Sequence, residues 1–156
     1  MDLDVVTRVI ASLESRGVRY AIFGAFALTL HGLVRLTQDL DLFVAPDREN
    51  IEQLKQALLE AIDDPEIRNI SADDLLGDYP AVEYNLPDGS FHIDILTRLG
   101  EAFTFADLEC ERVPFDGLTV SVVSPRMLYR MKKATVRPKD RIDAAWLRER
   151  FQLEEQ

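Results

Sequence analysis

Asp39 and Asp41 stand two apart in the run Asp39-Leu40-Asp41-Leu42-Phe43-Val44. A strand turns residues i and i+2 to one face, so the spacing predicts two carboxylates side by side. Leu40, Leu42 and Val44 would then anchor the opposite face in the core. Two ionised carboxylates ~4 Å apart repel by about 4 kcal/mol at an effective dielectric of 20, so a shifted pKa, basic neighbours or a cation must offset them. Asp94, in Phe91-His92-Ile93-Asp94-Ile95-Leu96, is a third carboxylate in a similar setting, mid-strand between two isoleucines. If the two strands are neighbours, three carboxylates converge. An oxygen-only donor set of this kind suits Mg²⁺ or Mn²⁺ rather than zinc. It can orient an attacking hydroxyl and a triphosphate for in-line displacement, with Asp94 nearest the hydroxyl and able to accept its proton. Each signal has a plainer reading by itself. Asp-x-Asp also suits a solvated sheet face, and Asp94 could simply pair with Arg98.

Other residues could serve the same chemistry. Tyr20 to Leu28 reads as a strand, a glycine turn at Gly24 and a helix start, whose free backbone N–H groups at Gly24 and Ala25 can receive a phosphate. Any tight strand-to-helix turn also favours glycine. Lys132, Lys133 and Lys139 would face the carboxylates if the last helices cross the sheet; otherwise they are a solvated helix face. Of the two histidines, His92 shares the face of Asp94 and is the better candidate to touch a ligand, whereas His31 fits a core or edge position. Asp140 and Asp143 suit the capping of a last helix and pairing with nearby arginines. Trp146 is expected in the core, and Cys110 has no base beside it and no assigned role.

The elements that must position these groups follow from periodicity and breakers. Leu3, Val6, Ile10 and Leu13 mark an amphipathic helix over 3–16, stopped by Gly17. Strands are expected at 18–23 and 40–44, with a helix at 25–30 between them and a second amphipathic helix at 50–62 capped by Asp47. Residues 66–79 are ambiguous between a strand edge and a short helical turn at 71–76. Asp-Gly pairs at 88–89 and 116–117 predict hairpins joining 81–85 to 90–96 and 110–115 to 118–123. Ser124-Pro125 opens a helix to about 135, and a last helix spans about 139–150. The expected architecture is α/β (α+β), a mixed sheet with helices mainly on one face.

Composition sets the outer limits. The 156 residues form one domain by length, with ordinary hydrophobic (47%) and charged (29%) content. The single cysteine excludes an internal disulfide and fits a reducing compartment. No apolar run is long enough for a membrane helix, and the first residues lack a secretory pattern, so a cytoplasmic location is expected. The net charge of −10 is unevenly spread. Residues 1–124 carry 9 basic and 23 acidic side chains, a balance of −14, whereas 125–150 carry 9 and 3, a balance of +6. An acidic body with one basic segment argues against broad duplex binding but leaves a place for one RNA end or a triphosphate.

The segment Tyr20 to Val44 resembles the signature of the polymerase-beta-like nucleotidyltransferase superfamily. There a hydrophobic-Gly-[Gly/Ser] turn precedes Asp-x-Asp, and a third acidic residue between hydrophobics follows. Gly24, Asp39, Asp41 and Asp94 fall on those positions, while Ala25 stands where the signature prefers Gly or Ser. Arg35-Leu36-Thr37 and the tail from Lys132 to Asp143, with Arg137-Pro138-Lys139-Asp140, resemble the branch of AbiEii-type toxins. The resemblance implies catalytic and metal-holding roles for Asp39, Asp41 and Asp94. It implies nucleotide contacts from Gly24, Ala25, Arg35, Thr37, Lys132 and Lys139. The implied activity is Mg²⁺- or Mn²⁺-dependent transfer of an NMP from an NTP to a hydroxyl, with pyrophosphate released. A tRNA end, a protein or a small molecule such as an aminoglycoside would accept it, and an antitoxin would be a partner. The alternative is a catalytically impaired module of the same fold that binds nucleotide or a partner, which Ala25 favours.

Overall fold

Asp2 accepts hydrogen bonds from the backbone N–H groups of Asp4 and Val5, opening α1 (Leu3–Ser15), whose Val6, Val9, Ile10 and Leu13 face inward. The computed structural model describes residues 1–34, 39–133 and 137–153. Arg35 and Thr37 lie outside them, as does the expected end of the helix near 135. After Gly17 come β1 (Tyr20–Phe23) and α2 (Gly24–Leu30), then β2 (Asp39–Val44) and α3 (Arg48–Ile62), capped by Asp47 as expected. The ambiguous stretch holds a 3-10 turn (Pro65–Asn69) and α4 (Ala72–Leu76), with no strand. Asp64 and Ser71 each cap one of these turns with their side chains, which tips the segment toward helix.

The first Asp-Gly hairpin joins β3 (Ala81–Asn85) to β4 (His92–Leu96). A small pair that the sequence did not announce follows, β5 (Arg98–Leu99) with β6 (Phe103–Thr104). The second expected hairpin joins β7 (Cys110–Phe115) to β8 (Leu118–Val123). Ser124 caps α5 (Pro125–Lys133) by accepting from Met127 N–H, and α6 (Pro138–Phe151) starts with Pro at its first position.

Six strands form one mixed sheet in the order β3-β4-β2-β1-β8-β7. The pairs β1–β2, β3–β4 and β7–β8 are antiparallel; β2–β4 and β1–β8 are parallel. Ile22, Leu40, Leu42, Ile93, Ile95, Val120 and Val122 share one face by register and are buried in one core with the apolar stripes of α1 and α3. Asn50, at the start of α3, pins the ends of β1 and β2. Its carbonyl accepts from Arg19 N–H at 2.8 Å, and its amide donates to the carbonyls of Arg19 and Ala45 at 3.0 and 3.1 Å. Trp146 is half-buried rather than central, edge-on to Phe151 at 5.9 Å. None of the described helices is long and apolar enough to cross a membrane.

Candidate active site

The parallel pairing of β2 with β4 does what the sequence required of it. Asp39 lies opposite His92 and Asp41 opposite Asp94, all on the sheet face away from Leu40 and Ile93. Phe23 on β1 is the register partner of Asp41. Four polar groups therefore form a compact square at the sheet's centre, where a strand on each side fixes their spacing.

Burial and charge crowding show on Asp41. Its pKa is pushed up to about 7, first by burial, then by a hydrogen bond and repulsion from Asp94 and by repulsion from Asp39; His92 works in the opposite sense. The His92 ring links the other two carboxylates, with Nε2 2.9 Å from Asp39 Oδ1 and 3.3 Å from Asp94 Oδ2. Among the described residues no arginine pairs with Asp94, so the plainer reading through Arg98 does not hold. Ligand atoms of Asp39, His92 and Asp94 all lie within 4.8 Å of one another, close enough to share one cation. The oxygen donors and the strained ionisation of Asp41 fit a divalent ion.

Gly24 is fixed by this site as much as by its turn. Its φ is +71°, and a Cβ built there would sit 2.0 Å from Asp41 Oδ2. The start of α2 thus presses directly on a carboxylate, and no side chain caps that helix. Gly24 and Ala25 open onto a cavity of about 720 Å³ that Asp39, Asp41 and Asp94 also line. That volume is in the usual range for small-molecule clefts. Phe23, Leu99, Leu128 and Met131 supply an apolar wall, and α5 and α6 bring Lys132, Arg137 and Lys139.

The two expected lysines differ. Lys132 lines the cavity, but its ammonium lies 3.2 Å from Asp140 Oδ1 and 3.1 Å from Asp143 Oδ2, with only 13% of the side chain exposed. Asp140 and Asp143 are themselves buried. Asp140 also receives a two-pronged contact from Arg137, Nε to Oδ2 at 2.7 Å and Nη2 to Oδ1 at 3.1 Å. The expected pairing with arginine holds for Asp140, and Asp143 feels the charge of the same Arg137 besides its contact with Lys132. Lys139 is exposed and lines the cavity, and no ion pair to it occurs among the described residues. Arg137 is a cavity cation not singled out from the sequence; its place beside Lys139 was the available signal. His31 is structural, its Nε2 2.9 Å from the Val123 carbonyl.

The sequence matches the family described as nucleotidyl transferase AbiEii toxin, type IV TA system, over residues 11–155. The chain belongs to the AbiEii nucleotidyltransferase family. It is a nucleotidyltransferase, as its signature residues led one to expect. Solved structures with the same fold include a candidate nucleotidyltransferase from Thermotoga maritima, with TM-score 0.59 and 16% identity over 96% of this chain and 91% of that one. Another is ANT(2″)-Ia in complex with adenylyl-2″-tobramycin, with TM-score 0.58 and 15% identity over 96% and 90% of the two chains. A third is an antigenic nucleotidyltransferase-like protein from Paracoccidioides brasiliensis, with TM-score 0.55 and 20% identity over 92% and 74%. No curated protein matches the chain. This AbiEii member carries the fold's sheet with its carboxylates clustered on one face, and Ala25 in place of the expected Gly or Ser.

Proposed function

We propose that this protein is a divalent-metal-dependent nucleotidyltransferase that moves a nucleoside monophosphate from an NTP to a hydroxyl acceptor and acts as the toxin of a toxin–antitoxin pair. The observation that carries the reading is the in-register β2–β4 pairing, which brings Asp41 against Asp94 beside the Gly24 turn. Asp39, Asp41 and Asp94 would hold the metal, which, when bound, neutralises charge on the triphosphate and at the reacting phosphorus.

The chain's own groups divide the remaining work. The N–H groups at Gly24 and Ala25 receive phosphate oxygens, and Lys139 and Arg137 meet the charge of the departing pyrophosphate. The apolar wall of Phe23, Leu99, Leu128 and Met131 holds the nucleoside away from water. Asp94, about a third of whose side chain is exposed, accepts the proton of the attacking hydroxyl. The acceptor is a tRNA 3′ end or a partner protein, and the basic segment 125–150 suits the former. The aminoglycoside derivative held by ANT(2″)-Ia supports a small-molecule acceptor as the second reading. Ala25 supports a third, a module that binds nucleotide without turnover.

Each labelled NTP is incubated with Mg²⁺ or Mn²⁺ and total cellular RNA, total protein or an aminoglycoside, beside an Asp41→Ala control. Label on RNA or protein that the control does not transfer is the expected result. No transfer from any NTP to any acceptor would leave the non-catalytic module as the better reading.

A further inference from the structure

A carboxylate triad accounts for the oxygen donors at the sheet centre, but the square has a fourth corner that is not an oxygen. His92 sits on the same face as Asp94, two residues before it, and directly across from Asp39 in the β2–β4 register. It is no core residue, since 29% of its side chain is exposed, and its ring nitrogen points at both carboxylates rather than at a backbone carbonyl.

The distances suit a shared ion as well as they suit a hydrogen bond. Ligands at right angles around an octahedral cation with bonds of roughly 2.1 Å are about 3 Å apart. The spacing of Nε2 from Asp39 Oδ1 is 2.9 Å and from Asp94 Oδ2 is 3.3 Å, so the nitrogen has the spacing of a neighbouring ligand to each of the two carboxylate oxygens. His92 Nε2, Asp39 and Asp94 form a group of ligand atoms within 4.8 Å of one another. Magnesium takes oxygen ligands almost exclusively, whereas imidazole nitrogen suits first-row transition ions.

Resting on the nucleotidyltransferase reading of this site, we propose that His92 is a direct metal ligand, which biases the centre toward Mn²⁺ or another transition ion over Mg²⁺. In the metal-loaded site the Nε2 lone pair faces the ion and the ring proton resides on Nδ1. In the metal-free protein the same nitrogen donates to the carboxylates, holding them together without a cation.

The test is spectroscopic. Mn²⁺ is added to the metal-free, full-length protein, and pulsed EPR reads the ¹⁴N coupling of the bound ion. Kd values for Mn²⁺ and, by competition, for Mg²⁺ are measured for wild type, His92→Ala and His92→Asn. Imidazole nitrogen coupling in the wild type is expected, lost in both variants, with Mn²⁺ affinity falling roughly 10-fold or more and Mg²⁺ affinity falling less, since loss of even an outer-sphere partner of a metal ligand costs that much. Bound Mn²⁺ without nitrogen coupling, or an unchanged preference in both variants, overturns the role of His92 and leaves the carboxylate site standing. Failure of the wild type to bind Mn²⁺ at all overturns both. The wild-type spectrum decides even if a variant folds poorly.

Discussion

At the scale of single residues, Asp41 carries the tension of the site. Its carboxyl titrates near pH 7 because burial, Asp94 and Asp39 all oppose its charge. An unfolded chain would ionise it near 3.8, so the folded-state pKa is the raised one. Its contribution to stability is therefore fully present below about pH 4 and is lost as pH climbs through about 7. With chelator present, Asp41→Asn should melt at least roughly 3 °C above wild type at pH 8, and the gap should close by pH 4. Parallel melts of the two proteins across that range check this, and a pH-independent gap would contradict it. Gly24 gives a second case. Gly24→Ala places a Cβ against Asp41 Oδ2, whereas Gly17→Ala, at nearly the same positive φ, meets nothing within 4 Å. Both variants should lose the ~1–2 kcal/mol of a left-handed alanine, but only Gly24→Ala should also weaken Mn²⁺ binding. Equal metal affinities in the two would show that the close approach has no consequence.

At the scale of elements, register decides where the carboxylates meet, and Asn50 holds the β1–β2 part of it. Its side chain is buried and makes three hydrogen bonds to the backbone at the ends of β1 and β2. Asn50→Ala leaves the Arg19 N–H without a partner, while the Arg19 and Ala45 carbonyls keep their bonds from Ala45 N–H and Asp47 N–H. The expected loss is about 1–3 kcal/mol by urea unfolding for the one buried group left unsatisfied. A change under 1 kcal/mol would place the register under other control. The element scale also marks how far the sequence could be read. Asp39 and Asp41 sharing a face, and Asp94 lying mid-strand, followed from period-two alternation and proved right. The pairing of β2 with β4 did not follow, because α3, α4 and β3 intervene and no local signal specifies a parallel, non-sequential neighbour. The contact of His92 with both Asp39 and Asp94 was hidden for the same reason. So was the second demand on Gly24: a turn explains its φ, but only the tertiary position of Asp41 explains why no side chain fits. The β5–β6 pair is two residues per strand, too short to leave a pattern.

At the scale of the molecule, an acidic body is closed on one side by a basic tail, and the two lysines expected at the triphosphate have different parts in that closure. Lys132 on α5 reaches across to Asp140 and Asp143 on α6, both almost wholly buried, so it joins the two helices that wall the cavity. Removing one partner of a buried ion cluster leaves charge without compensation, at a cost of about 3–5 kcal/mol. Lys139, exposed at the cavity edge, has no such burden. Lys132→Ala should therefore lower the unfolding free energy by that amount. Lys139→Ala should stay within about 0.5 kcal/mol of wild type, as surface substitutions do, and yet weaken NTP binding through loss of a charge facing the triphosphate. Denaturant unfolding and nucleotide titration on both variants separate the roles. If Lys132→Ala unfolds like wild type while losing nucleotide affinity, its ammonium leaves the aspartates for the triphosphate on binding, and the α5–α6 link is a switch rather than a brace.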